Sequence, residues 1–234
     1  MLDFNEKLKN LDPAQFVKSI LVDTIGVKKL VVGYDHAFGR NRSGRIAELK
    51  KLGQQYGFDV EVCGPVLVDD QPVSSSRIRR ALLQNRFDEA LRLLGHGYSI
   101  CGVVERGIGL GKKLGYPTAN IRYNPRKLLP AQGVYVCRAL IDEKCHEGLM
   151  FIGRNHFNPE VRISVEAHLF NFDRELYGEE MIVYPTRFIR ENRRYDTHEK
   201  LARQIDKDKE KALQILQKEK QHVAGQRAKS SHYC

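Results

Sequence analysis

VERGIGLGKKLGYPTANI, residues 104–121, decides the reading of this chain. Four glycines fall within nine residues (Gly107, Gly109, Gly111, Gly115), Lys112 and Lys113 stand among them, and the stretch closes on Pro117-Thr118-Ala119-Asn120. Glycines at this density let a backbone turn through positive φ and come close to a ligand. Successive backbone N–H groups in such a turn form a concave nest for anions. The lysines add positive charge at the same place. Thr118 and Asn120 offer neutral oxygens, which suit Mg²⁺ when it keeps waters and nucleotide phosphates as its other ligands. The stretch therefore reads as a nucleotide-phosphate site with a metal. It is not a Walker motif, because GxxxxGK[ST] does not fit, and it is not placed as a dinucleotide fingerprint opening a helix.

Upstream, residues 1–95 alternate helix and strand. Asp12-Pro13 is a good N-cap with Pro at the first helical position, and FVKSILVDTIGV continues with Phe16, Ile20, Leu21 and Ile25 on one face. KLVVGY (29–34) is a short apolar run of the buried parallel kind, RIAELKKLGQQYG (45–57) is helical up to Gly57, and DVEVCG (59–64) reads as a second strand. This is βαβ grammar, with helices packed on a parallel sheet. SSSRIRRALLQNRFDEALRLLG (74–95) predicts a serine-capped helix and a second short helix ending at Gly95. Downstream from Tyr98 the grammar changes to YSICGVVER, GVYVCRALI, EGLMFIG, RISVEAHLFNF and EEMIVYPTRFI, separated by turn residues, which predicts an antiparallel barrel. In the fourth run Val165, Ala167 and Leu169 alternate with Glu166, His168 and Phe170. From Thr197 a helix of two to five turns is expected, with Leu201, Ile205, Ala212, Leu213 and Leu216 roughly on one face. The fold class is α/β plus β. The expected divisions are 1–96, 97–220 and a disordered tail at 221–234.

The whole composition limits the function classes. The 234 residues are 41% hydrophobic, with ten Tyr and ten Phe, enough for one or two packed cores. No run of about 18 apolar residues predicts a membrane span, and MLDFNEKLKNLD lacks the apolar core of a secretory signal. Five scattered cysteines without CxxC or Cys/His spacing argue against zinc and against a disulfide framework. A cytoplasmic protein with reduced thiols is expected. The net charge of +10 suits phosphorylated small molecules as well as nucleic acid. No nucleic-acid module is legible, and the charges of 197–234 alternate in sign along a helix as on a solvated face.

The string G-x-G-x-x-LG-x-PTAN, matched from Gly109 to Asn120, resembles the riboflavin kinase signature of bacterial bifunctional riboflavin kinase/FMN adenylyltransferases (FAD synthetases). Three further blocks follow in that family's order: GVYVCRAL (133–140), VEAHLFNFDRELYGEEMIV (165–183) and FIRENRRYDTHEKLARQIDKD (188–208). The resemblance implies a β-barrel with a C-terminal helix that uses Mg²⁺ and ATP to phosphorylate riboflavin to FMN. It places the family's catalytic carboxylate at Glu166, as general base for the ribityl hydroxyl. It places Thr118 and Asn120 as metal and nucleotide ligands. Gly107, Gly109, Gly111, Lys113 and Pro117 belong to the flap over the nucleotide, and Arg190 to the flavin side. Where the family commonly reads IGxRPTF, this chain has Ile152-Gly153-Arg154-Asn155-His156-Phe157, without the Pro-Thr pair.

LVVGYDHAFGRNRSG (30–44) and SSSRIRRAL (74–82) resemble two blocks of the same family's Rossmann-like nucleotidylyltransferase half, with Asp35, Ser75, Ser76 and Arg79 as contacts to flavin or nucleotide. The family's GxFDGxHxGH block, whose histidines stabilise charge on the transferring phosphate, has no counterpart among the eight histidines. The first domain is thus expected to be partial, FAD synthetase activity to be lost, and the exposed sheet edge to allow self-association. The expected partners are riboflavin and ATP, with neither nucleic acid nor membrane. The alternative is a flavin-binding regulatory protein or a non-catalytic remnant. The presence of Thr118, Asn120 and Glu166 favours the enzyme.

Overall fold

The computed structural model describes residues 5–154 and 163–227, with side chains in the last helix as far as residue 221. The chain forms two compact units, Met1–Val73 and Ser74–Cys234.

In the first unit, a short helix α1 (Glu6–Lys9) precedes α2 (Pro13–Phe16). The Asp12 carboxylate accepts from the Gln15 backbone while the Gln15 side chain returns to the Asp12 N–H, a complete capping box. The helix then widens into a π-helix, Val17–Ile25, closed by Gly26 at φ 68. Thr24 Oγ1 donates to the Ser19 carbonyl, five residues back. That wider turn displaces side chains from the 3.6-residue repeat. Val17 is therefore fully buried, with Phe16, Leu21 and Val22 beside it, while Ile25, expected on the inner face, is 59% exposed. Strands β1 (Lys29–Gly33) and β2 (Asp59–Cys63) pair in parallel, Lys29 opposite Asp59 and Gly33 opposite Cys63. Between them runs α3 (Ile46–Tyr56), stopped by Gly57 at φ 76. A short antiparallel pair, β3 (Leu67–Val68) and β4 (Gln71–Pro72), ends the unit.

The second unit opens with α4 (Ser75–Leu83), which Ser74 caps by accepting from the Arg77 N–H, followed by α5 (Phe87–Leu94). The sequence places the domain boundary at 96/97. The structure divides the chain after Val73, because α4 and α5 bury Ala81, Leu82, Phe87 and Ala90 in the same core as the barrel interior. The barrel strands are β5 (Ile100–Glu105), β6 (Ala119–Tyr123), β7 (Gly133–Ile141), β8 (Lys144–Gly153), β9 (Ser164–Leu169) and β10 (Glu180–Glu191). They close in the order β10-β5-β6-β9-β8-β7, all antiparallel. Their inward residues, among them Ile100, Val104, Ile121, Tyr135, Met150, Val165, Ala167 and Val183, form the core. One turn of helix, α6 (Leu110–Lys113), lies in the glycine-rich stretch.

The last helix, α7 (His198–Arg227), has 30 residues, about eight turns. It is longer than the two to five turns expected, and it extends into the stretch read as disordered; residues 228–234 of that stretch lie outside the described residues. Ala212 and Leu216 of α7 bury themselves against Val134, Val136, Leu149 and Ile189 on the outer surface of the barrel. The helix is thus held by packing rather than by its strongly charged composition. Among the described residues no helix is long and apolar enough to cross a membrane.

Candidate functional site

Ala119 and Asn120 of the PTAN motif belong to β6. Register then does what spacing cannot show. Asn120 pairs with Glu105 on one side and with Glu166 on the other. Glu166 pairs with Phe151, Phe151 with Val134, and Val134 with Arg190. Glu105, Asn120, Glu166, Phe151, Val134 and Arg190 thus form one continuous row, one residue from each strand, and all six line a single cavity of about 1100 Å³. Because strand side chains alternate, the neighbours Val165 and Ala167 point the other way, into the core. The volume lies at or above the upper end of the roughly 300–1,000 Å³ usual for one small molecule. It suits two substrates side by side.

The glycine-rich stretch folds back over the Asn120 end of this row. A Cβ on Gly107 would stand 2.2 Å from Asn120 Nδ2, and one on Gly111 would stand 2.4 Å from the Tyr116 carbonyl oxygen and 3.2 Å from Thr118 Oγ1. The missing side chains are what allow this close approach. Gly109 serves differently: its φ of 75 starts α6 in the left-handed region, with open space around it. Gly107, Gly109, Gly111, Thr118, Asn120, Glu166 and Arg190 all line the cavity, while Lys113 and Pro117 do not.

Glu166 is held from both sides. Ser164 Oγ donates to Oε1 at 2.9 Å, and Thr118 Oγ1 donates to Oε2 at 3.4 Å. The Thr118 hydroxyl, the Asn120 amide and the Glu166 carboxylate therefore converge on one place. Among the described residues no cluster of three or more His, Cys, Asp or Glu could hold a metal by itself. A few oxygen ligands with the rest supplied by phosphate and water is the arrangement Mg²⁺ accepts, so these residues fit the ion.

Two connections tie the motif to α7. The Tyr116 hydroxyl donates to the Asp206 carboxylate, which pushes the Tyr116 phenol up to about 12, with burial and the Asp206 charge adding to the rise. On β10, Arg190 Nε and Nη2 bind the two Asp208 oxygens at 2.7–2.9 Å, and Gln204 Nε2 donates to Asp208 Oδ1 at 3.0 Å. Asp208 is 3% exposed. The guanidinium expected at the flavin side thus reaches the cavity wall while bonded to a buried carboxylate.

His168 follows Glu166 on the same face of β9. Its Nδ1 lies 2.9 Å from the Pro117 carbonyl oxygen, and its ring meets Tyr116 and Phe170 edge-on. Burial lowers the imidazole below the usual histidine range; the Pro117 carbonyl opposes that shift, and the Lys209 charge adds to it.

The remaining sequence-derived residues are not among those that line this cavity. Asp35 is exposed in the first unit. Ser75, Ser76 and Arg79 are exposed on α4, where the capping serine is their neighbour Ser74. Of the altered loop, Ile152 and Gly153 end β8, and Asn155, His156 and Phe157 lie outside the described residues. His168, Asp206 and Asp208 were not among the sequence candidates.

A family model described as "Flavokinase: Riboflavin kinase" matches residues 94–216, and one described as "FAD_syn: FAD synthetase" matches residues 1–77. A protein of Buchnera aphidicola (subsp. Schizaphis graminum) named bifunctional riboflavin kinase/FMN adenylyltransferase is 37% identical, covering 88% of this chain and 67% of its own length. The Listeria monocytogenes protein of the same name is 33% identical over 88% of this chain and 66% of its own. The chain spans about two thirds of the length of these relatives. A crystal structure described as a macrolide-efflux protein from Streptococcus pneumoniae superposes with a TM-score of 0.78 at 29% identity, covering 89% of this chain and 67% of that one. Its description differs from the names of the two relatives, and what it contributes is the likeness of fold.

Proposed function

Because the chain belongs to the bifunctional riboflavin kinase/FMN adenylyltransferase family, we propose that it is a riboflavin kinase, moving the γ-phosphoryl group of ATP to the ribityl hydroxyl of riboflavin to give FMN and ADP. The observation that carries this reading is the convergence of Glu166, Thr118 and Asn120 in one wall of a cavity of about 1100 Å³. Phosphoryl transfer asks the protein mainly for positioning and for charge stabilisation. Glu166, oriented by Ser164, takes the hydroxyl proton as the oxygen attacks phosphorus and ADP departs. Thr118 and Asn120 would hold Mg²⁺, and the ion would supply neutralisation of the phosphate charge. Gly107, Gly109 and Gly111 bring backbone close to the nucleotide, with Lys113 behind them. In this reading Arg190 serves the flavin side while anchoring α7 through Asp208. The protein works on cytoplasmic riboflavin and ATP.

The reading includes a second statement. These 234 residues make no FAD, although residues 1–77 match the FAD synthetase model. The sequence holds no HxGH pair to stabilise charge as pyrophosphate leaves, and preorganised donors of that kind contribute about 10²–10³-fold each. The test is a product assay with riboflavin, ATP and Mg²⁺, with FMN and FAD separated by chromatography. FMN alone is the expected result. No FMN rejects the kinase reading, and FAD in amounts comparable to FMN rejects the second statement.

A further inference from the structure

Strand β9 presents Ser164, Glu166 and His168 on one face, two residues apart each time. The first orients the Glu166 carboxylate at 2.9 Å. The third meets the Tyr116–Pro117 turn that leads into β6, the strand paired with β9 beside Glu166. The Pro117 carbonyl can only accept, so the 2.9 Å contact requires a proton on His168 Nδ1. That carbonyl belongs to the peptide unit joining Pro117 to Thr118, and Thr118 Oγ1 in turn points at Glu166 Oε2, 3.4 Å away. Fixing the plane of this peptide fixes the direction in which Thr118 leaves the turn. Ahead of Pro117 the turn is held by the Tyr116 N–H, which donates to the Gly111 carbonyl at 2.8 Å, and by the Tyr116 hydroxyl on Asp206. Pro117 has no N–H to donate, and Thr118 precedes the first residue of β6. The His168 ring also forms an edge-on contact with Tyr116 at 5.6 Å, so the same side chain supports both residues ahead of Thr118.

We propose that His168, as its Nδ1–H tautomer, is a positioning residue: through the Pro117 carbonyl it holds Thr118 in register with Glu166 for Mg·ATP, without touching the reacting atoms. This deepens the kinase reading and rests on it. The competing view makes His168 an aromatic filler between Tyr116 and Phe170. Two substitutions separate the views. His168→Phe keeps a ring and loses the donor. His168→Asn loses the ring and keeps an N–H donor near the position of Nδ1.

Equilibrium binding of Mg·ADP and, separately, of riboflavin is measured for the full chain and both variants, and ¹⁵N NMR of wild-type imidazole reports the tautomer. His168→Phe is expected to weaken Mg·ADP about tenfold, the loss of one hydrogen bond, with riboflavin affinity unmoved. His168→Asn is expected to recover most of that loss. Wild-type His168 is expected as the Nδ1–H form. Overturning results are an Nε2–H tautomer, His168→Phe binding Mg·ADP as wild type does, His168→Asn weaker than His168→Phe, or equal losses for both ligands. A variant that does not fold leaves the tautomer measurement to decide. If wild type binds both ligands but forms no FMN, the kinase reading fails while these comparisons still judge His168. If wild type does not bind Mg·ADP, the proposal fails with it.

Discussion

Gly107→Ala tests whether the glycines are there for close approach rather than for flexibility. The added methyl would stand 2.2 Å from Asn120 Nδ2, 2.5 Å from Cγ and 2.7 Å from Oδ1. Real Cβ atoms do not sit that close to such neighbours, so either the stretch lifts or the Asn120 side chain turns away. Asn120 lies between Glu105 and Glu166 in the barrel, so its backbone has little room to follow. Overpacking of this kind costs about 1–3 kcal/mol. Charged to the nucleotide complex, that is a loss of about 5- to 150-fold in kcat/KM for Mg·ATP. The barrel core is untouched, so Tm and riboflavin affinity should stay near wild type. Gly109→Ala is the matched control. Its φ of 75 imposes left-handed strain, yet its Cβ would meet nothing within 4 Å, so about 1–2 kcal/mol of local strain is the whole expected effect. Steady-state kinetics with ATP varied at saturating riboflavin give the comparison. Gly107→Ala with a wild-type kcat/KM for Mg·ATP, or with a riboflavin defect of equal size, refutes the reasoning.

Thr118→Ala and Asn120→Ala should raise the Mg²⁺ and ATP concentrations needed for half-maximal rate more than that of riboflavin; titrating the three separately tests this, and unchanged dependence on metal and nucleotide rejects the site. Arg190→Leu should destabilise the fold by about 3–5 kcal/mol, because it strands the Asp208 carboxylate, 3% exposed, without its partner; Tm in the wild-type background should fall on the order of 10 °C. The His168 imidazole, lowered by burial, should titrate below its ordinary 6.5. The unfolded chain then binds the extra proton first, so this residue's contribution to stability is present above that pH and is lost as pH falls through the depressed value; NMR titration of His168 in wild type, with urea melts of wild type and His168→Asn across the same window, measures both.

The alternation Val165, Ala167, Leu169 against Glu166, His168, Phe170 made the two faces of β9 legible in the sequence, and the structure puts the first three in the core. What alternation cannot supply is the neighbour on the next strand. The pairing of Asn120 with Glu166 depends on barrel register, which bulges at Pro185/Arg187 and Phe188/Arg190 help to set. Asp208 did have a signal. It sits at helical spacing with Leu201, Ile205 and Ala212, a carboxylate in an apolar stripe, and such a group demands a buried cation. That the partner would be Arg190 could not be read from spacing, since the two meet only when α7 packs on the barrel. The same holds for α4 and α5. Their capping and amphipathic pattern were legible, but whether Leu82 and Phe87 pack into the barrel or into the preceding unit is a tertiary outcome. In the first unit a good α-helical pattern from Pro13 winds as a π-helix, an outcome that propensity does not encode.

The most direct test of the central claim is the chemical step with and without the Glu166 carboxylate. Single-turnover formation of FMN is followed with saturating riboflavin and Mg·ATP for wild type and Glu166→Gln, with riboflavin affinity measured alongside. Removing a general base costs about 10²–10⁴-fold. The expected result is FMN formation by wild type, a rate constant lowered by that factor in Glu166→Gln, and riboflavin binding within about threefold of wild type, a span no wider than about one hydrogen bond. Near-full turnover by Glu166→Gln, or no FMN from wild type, would contradict the account.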